Sequence, residues 1–172
     1  MKLSTKARYG LRMMVELARA LKQRPLIRLG DIAKITGVSQ NYLAQLAMPL
    51  RHAGLLVGIS GKKGGYALGR PADEIKLSEI LQAVQGPISL TDCSLNPELC
   101  LYAPFCESRM IWVLAAHKMQ EVFESYHLSD LVASDFRSET RHKFPDIPLL
   151  EPDQHMSGEP GPMSCSGPPP RV

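Results

Sequence analysis

The first 70 residues almost lack acid. They hold 13 Lys and Arg against 2 Asp and Glu, a net charge of +11, whereas residues 71–172 hold 7 against 15, a net of −8. A surface shaped only by solubility does not segregate charge in this way. The N-terminal half is therefore expected to meet a polyanion, with nucleic acid the first candidate and a membrane surface the second. Long apolar runs are also missing. No stretch approaches the roughly 18 uninterrupted apolar residues that a bilayer span needs, and the opening MKLSTKARYG has no apolar signal-peptide core. A cytoplasmic protein with no membrane partner is expected. The five histidines are scattered and no paired carboxylate motif stands out, so the acid–base or nucleophile constellation of an enzyme is absent. Cysteine is scarce too, with four in 172 residues, but Cys93, Cys100 and Cys106 share one proline-punctuated stretch, CSLNPELCLYAPFC, and only Cys165 stands apart.

The length accommodates one compact domain with an appended segment. Ser4 and Thr5 precede KARYGLRMMVELARAL, where Tyr9, Met13, Leu17 and Ala20 recur at helical spacing, and the helix should end before Pro25. The next segment reads as a short helix from about Asp31 to Thr36, a turn at Gly37, and a second helix capped by Ser39. Pro49 is expected to stop or kink that helix near Met48. Leu55 to Ser60 and Tyr66 to Leu68 read as two strands joined by GKKGG, a wing. Ser78 is the expected cap of a helix in KLSEILQAV. From Glu107 to about Tyr126 a longer helix carries apolar residues on two sides, which predicts contact with its own domain on one side and a partner helix on the other. Beyond Phe144 the chain is rich in Pro, Gly and Ser and is expected to be disordered.

The fold class expected is mainly α with a small β-hairpin wing. Residues 1–88 form a winged helix-turn-helix, 89–106 a cysteine cluster-binding loop, 107–135 a dimerisation helix region, and 145–172 a disordered tail. Helix-turn-helix with a wing places one helix in the major groove of double-stranded DNA and the hairpin along the backbone or minor groove. Ser39, Gln40, Asn41 and Tyr42 begin the recognition helix and Gln45 lies one turn further on, so these are the expected groove residues. Lys62 and Lys63 at the wing tip, with Lys6, Arg8 and Arg28, are the expected phosphate contacts. GKKGGY lacks the strand–loop–helix setting and the GK[ST] ending of a nucleotide-binding loop.

Three cysteines separated by six and five residues are too far apart for a dithiol redox pair of the CxxC kind and lack the short paired spacing of most zinc modules. A loop containing Asn96, Pro97 and Pro104 can curl around an Fe–S cluster, 2Fe–2S or 4Fe–4S, presenting thiolates from several directions. Zinc, a thiol redox switch and inert packing remain alternatives; a structural disulfide fits a cytoplasmic setting poorly. An adaptor that touches DNA weakly is a further alternative.

The opening MKLSTKARYGLRMMVELA, the V-S-x-x-Y-L of the second helix, LRHAGLL, GKKGGYALGRP, LSEILQAVQGP and the three cysteines together resemble the IscR/NsrR/CymR-type family of bacterial winged-helix transcription regulators, over about residues 1–135. The resemblance implies a homodimeric transcription factor with its cluster at the dimer interface. It also implies a fourth ligand. The position at which IscR-like members carry a histidine is Arg109, and the position of the N-terminal aspartate of NsrR-like members is Arg8. His117 lies eleven residues beyond Cys106, about 16 Å along a helix axis, too far to share the site. Glu107, Glu98 and Asp92 are nearer oxygen donors, a partner-subunit residue is another source, and Cys165 could reach in from the tail. Ala44 stands where many relatives have glutamate, so target sequence does not carry over.

Overall fold

Ser4 opens the first helix, α1 (Thr5–Leu21), by accepting a hydrogen bond from the Ala7 N–H, and the apolar stripe of that helix buries Met13, Met14 and Leu17. The computed structural model describes residues 4–147. Helix α2 (Leu29–Thr36) starts two residues earlier than the sequence suggests and ends at Gly37, whose φ of 69° is the left-handed cap that glycine adopts without a Cβ penalty. Thr36 sets the turn: its buried hydroxyl donates to the Ile32 carbonyl at 2.7 Å and accepts from the Val38 N–H. Helix α3 (Gln40–His52) begins at Ser39, whose Oγ accepts from the Tyr42 N–H at 3.3 Å.

Of the two outcomes expected at Pro49, a stop or a kink, the stop does not occur. The helix continues to His52 because Leu46, Ala47 and Leu50 hold its inner face in the core, while the carbonyl that loses a donor belongs to Gln45, an exposed residue with water at hand. Strands β1 (Leu56–Ile59) and β2 (Gly65–Leu68) pair antiparallel from Leu56–Leu68 to Ile59–Gly65. Ile27 adds a bridge that the sequence does not advertise, exchanging two backbone hydrogen bonds with Tyr66 at 3.0 and 2.8 Å, which moors the wing to the start of α2. Helix α4 (Leu77–Gln85) is capped by Glu79, which accepts from the Lys76 N–H at 3.0 Å; Ser78, the expected cap, is buried instead.

The chain then leaves the winged-helix body through a short helix α5 (Asp92–Leu95) and two 3₁₀ turns, and rises into α6 (Glu107–Glu124). Only Ala116 of α6 is buried, with Phe123 packed on the core near the helix end. Met110, Ile111 and Leu114 stay exposed, so one of the two expected apolar faces is uncovered within a single chain. After α6 the chain returns. Leu128 opens α7 (Leu128–Val132) fully buried in the same core as Met13 and Ile80, and Lys76 bridges His127 through Leu77 N–H to Tyr126 O and Leu128 N–H to Ile75 O. Arg19 and Lys22 of α1 donate to the Leu131 and Val132 carbonyls at the end of α7. Residues 126–132, expected to belong to a separate dimerisation region, are thus built into the winged-helix body. Helix α8 (Phe136–Lys143) follows, with Phe136 edge-on to Tyr126. The expected disordered tail lies, from residue 148 on, outside the described residues, and so does Cys165. No helix among the described residues is long and apolar enough to cross a membrane.

Candidate nucleic-acid interface and cysteine loop

Helix α3 is two-faced by construction. Leu43, Leu46 and Leu50 anchor one side against α1, α2 and α4, which leaves Ser39, Gln40, Asn41, Ala44 and Gln45 exposed on the other. Four of these five side chains carry hydrogen-bonding groups, and they sit on the first two turns, the part of a recognition helix that enters a groove. Tyr42 departs from that set. Its ring is half-buried and stands edge-on to Tyr9 of α1, centroids 6.0 Å apart, while the Arg8 guanidinium lies 4.9 Å from the Tyr9 ring centre. Burial, reinforced by Tyr9, pushes the Tyr42 phenol up, partly offset by Arg8. Tyr42 therefore locks α3 to α1 with its ring, and Arg8 is stacked at the same junction with its charge still exposed.

Lys62 and Lys63 project from the wing tip, both exposed. Arg28, one residue past the Ile27 bridge, donates from Nη2 to the Lys62 carbonyl at 2.6 Å, across 34 residues of sequence. Of the expected DNA contacts, the fold brings Ser39, Gln40, Asn41 and Gln45 to one helix face, and Arg28, Lys62 and Lys63 to the wing. Ile27 and Thr36 support them without any local signal beyond β-branched residues near turns.

The cysteine loop is held differently. Thr91 Oγ1 lies 3.4 Å from Cys93 Sγ and 2.6 Å from Ser94 Oγ. Arg109 of α6 donates from Nε to the Cys93 carbonyl at 2.8 Å, so the residue standing at the expected histidine ligand position is a tether between loop and helix. Cys100, with Pro97, Glu98, Leu101, Pro104 and Arg109, lines an open concavity of about 540 Å³. Cys106 is the residue immediately before α6, and a hydrogen bond from the Ser108 hydroxyl at 3.1 Å, aided by the Arg109 N–H, holds its thiol below the usual cysteine range. The three cysteines are free thiols, each partly exposed. Three thiols suit the soft-ligand chemistry of an Fe–S cluster. Their geometry within one chain does not: among the described residues, no three His, Cys, Asp or Glu side chains gather closely enough to hold a metal ion. His117 pairs with Glu121 at 3.2 Å on the exposed flank of α6, away from the cysteines.

A helix-turn-helix with a moored basic wing and an uncovered helix beyond it defines a winged-helix DNA-binding regulator. Residues 3–134 match the family model Rrf2, described as an iron-dependent transcriptional regulator, and the chain belongs to this family. The HTH-type transcriptional regulator CymR of Bacillus subtilis (strain 168) is 38% identical over 133 residues, 77% of this chain and 91% of the relative. Protein rrf2 of Nitratidesulfovibrio vulgaris is 33% identical over 132 residues, 77% of this chain and 87% of the relative. Among solved structures, that of CymR, the global cysteine regulator of B. subtilis, aligns with a TM-score of 0.64 at 37% identity, covering 77% of this chain and 96% of that one. T. potens IscR aligns with a TM-score of 0.62 at 26% identity, covering 88% and 94%. CymR of B. subtilis is named a regulator in both its sequence and its structure, and the family model is described as a transcriptional regulator.

Proposed function

We propose that the protein is a cytoplasmic homodimeric regulator that reads two DNA half-sites with α3 and senses through the loop of Cys93, Cys100 and Cys106. The observation that carries the DNA reading is the exposed polar row of Ser39, Gln40, Asn41 and Gln45 together with an exposed basic wing tip, on a half-chain of net charge +11. Selection of genomic fragments followed by fluorescence anisotropy over a salt series tests it. Affinity should fall steeply with salt as phosphate counterions are released. Gln40→Ala or Asn41→Ala should relax sequence preference at about 1–3 kcal/mol, whereas Lys62→Ala should weaken all sequences alike and lower the salt slope by about 1. Shallow salt dependence with no preferred fragment would instead fit an adaptor.

For sensing, the reading favoured is an Fe–S cluster held by Cys93, Cys100 and Cys106, supported by three free thiols confined to one loop and by the family model's iron-dependent description. Such a cluster would supply a centre sensitive to oxidation, nitric oxide and iron–sulfur supply. Because the thiols stand apart in the single chain, the reading requires the 93–106 loop to close, and it takes the remaining ligand from Asp92, Glu98, Glu107, Cys165 or the partner subunit.

A thiol switch on the same fold is the second reading, with a zinc-dependent switch its variant. It is favoured by the Cys106 thiol, partly exposed and biased toward thiolate by Ser108. Staphylococcus aureus CymR, 35% identical, has been crystallised in an oxidized form. Ser108→Ala should slow alkylation of Cys106 at neutral pH while leaving Cys100 unaffected, as followed by mass spectrometry of the labelled peptides; equal rates would remove the Ser108 argument.

A further inference from the structure

Arg28 occupies an unfavourable place for a cation. It is the residue that caps the N-terminus of α2, where the helix dipole is positive, and its side chain makes no capping hydrogen bond. Its guanidinium instead crosses to the wing and donates to the Lys62 carbonyl at 2.6 Å, a short, charge-assisted bond to main chain. The segment it reaches has little else to fix it. GKKGG carries three glycines, Gly61 with φ of 116°, and the Gly64 N–H bonds only back to the Gly61 carbonyl at 2.9 Å. At the wing base the strand is already moored by the Ile27–Tyr66 bridge, and Gly65 lies so close that an added Cβ would stand 2.9 Å from the Ile27 carbonyl oxygen. Base and tip are therefore both held by consecutive residues, Ile27 through its backbone and Arg28 through its side chain.

We infer that Arg28 is a positioning residue of the DNA-binding surface: it braces the wing tip so that Lys62 and Lys63 are presented in a fixed geometry, rather than serving chiefly as a phosphate contact itself. The inference rests on the DNA-binding reading above and assigns a specific task within it. A braced tip loses less freedom when it meets the phosphate backbone, so the benefit appears as affinity although the bond lies inside the protein.

The brace is tested first in the DNA-free full-length protein, by amide hydrogen exchange across residues 61–65 of wild type and Arg28→Ala. Arg28 is exposed and contributes no side-chain cap, so the variant should keep its helical circular dichroism and melting temperature. Exchange at the tip should accelerate about tenfold or more with the rest of the chain unchanged; unchanged tip exchange would overturn the brace. The second measurement is a double-mutant cycle on a selected DNA fragment. Arg28→Ala should weaken binding about tenfold in the wild-type background and less than about threefold in a Lys62→Ala/Lys63→Ala background, because a brace has nothing left to present. Equal losses in both backgrounds would make Arg28 an independent phosphate contact and overturn the proposal. Faster tip exchange in a protein whose wild type prefers no DNA would keep the brace and remove the DNA-binding reading, so the two failures are distinguishable.

Discussion

Leu128→Ala should lower the free energy of unfolding by about 2–5 kcal/mol, the range for deleting a buried leucine side chain when the surroundings relax only partly. The position lies beyond α6, in a stretch that reads as an appendage, yet its side chain is 0% exposed and shares a core with Met13, Ile75 and Ile80. The backbone on either side is tied to the stretch leading into α4, with Leu128 N–H on Ile75 O at 2.8 Å and Leu77 N–H on Tyr126 O at 3.0 Å. The cavity would therefore open inside the DNA-binding body. Urea unfolding followed by circular dichroism measures the loss, and Arg137→Ala on the exposed face of α8 should stay within about 0.5 kcal/mol. If both variants unfold alike, residues 126–132 are not part of the core. α6 is thus packed on the winged-helix core near its far end through Phe123 and tied to the Cys93 carbonyl through Arg109 near its start.

In the proposed homodimer, Leu114→Glu should separate the protomers without unfolding the chain. Leu114 lies four residues after Met110 and three after Ile111, the spacings that place side chains together on one face of α6, and it is 54% exposed. Phe105, 83% exposed, extends apolar surface onto the loop beside it. Large apolar side chains exposed on one helix face mark an interface. A carboxylate placed there has no partner in a dimer, whereas in the monomer it faces water at little cost. Loss of the dimer separates two recognition helices that must meet two half-sites together, so affinity for a paired site should fall by about a thousandfold or more. Sedimentation velocity and anisotropy on the same samples check both parts. A variant that sediments as a dimer and binds normally would move the interface away from α6.

Much of this architecture is legible along the chain because it is local. Ser4 and Ser39 cap their helices as their residue type suggests, Gly37 supplies the left-handed turn, and GKKGG joins the two paired strands. The departures arise where tertiary contact outweighs local preference. Pro49 sits inside a helix because three core residues hold it there, and Lys76 with Glu79 replaces Ser78 as cap because the Ser78 side chain turns inward. Ile27 and Leu128 carry no local sign of partners 39 and 53 residues away, Tyr66 and Ile75 respectively. Tyr42 shows the same limit within the candidate site: its position on α3 places it with the groove residues, and only the proximity of Tyr9 shows its ring turned toward α1. For the cysteines, sequence supplies the donor types and their confinement to one loop, whereas convergence of thiols is a property of three dimensions.

The proposed function turns on an Fe–S cluster held by the loop of Cys93, Cys100 and Cys106 in a DNA-binding dimer. Anaerobic purification of the full chain, with an absorption spectrum and iron, acid-labile sulfide and zinc assays on the same sample, tests it most directly, alongside Cys93→Ala, Cys100→Ala and Cys106→Ala. A coloured protein with matched iron and sulfide is expected, with loss of the chromophore in each variant while the folded dimer persists. A colourless protein that takes up neither iron nor sulfide on reconstitution, and holds zinc or only free thiols, would contradict it and leave the cysteines to the thiol or zinc switch.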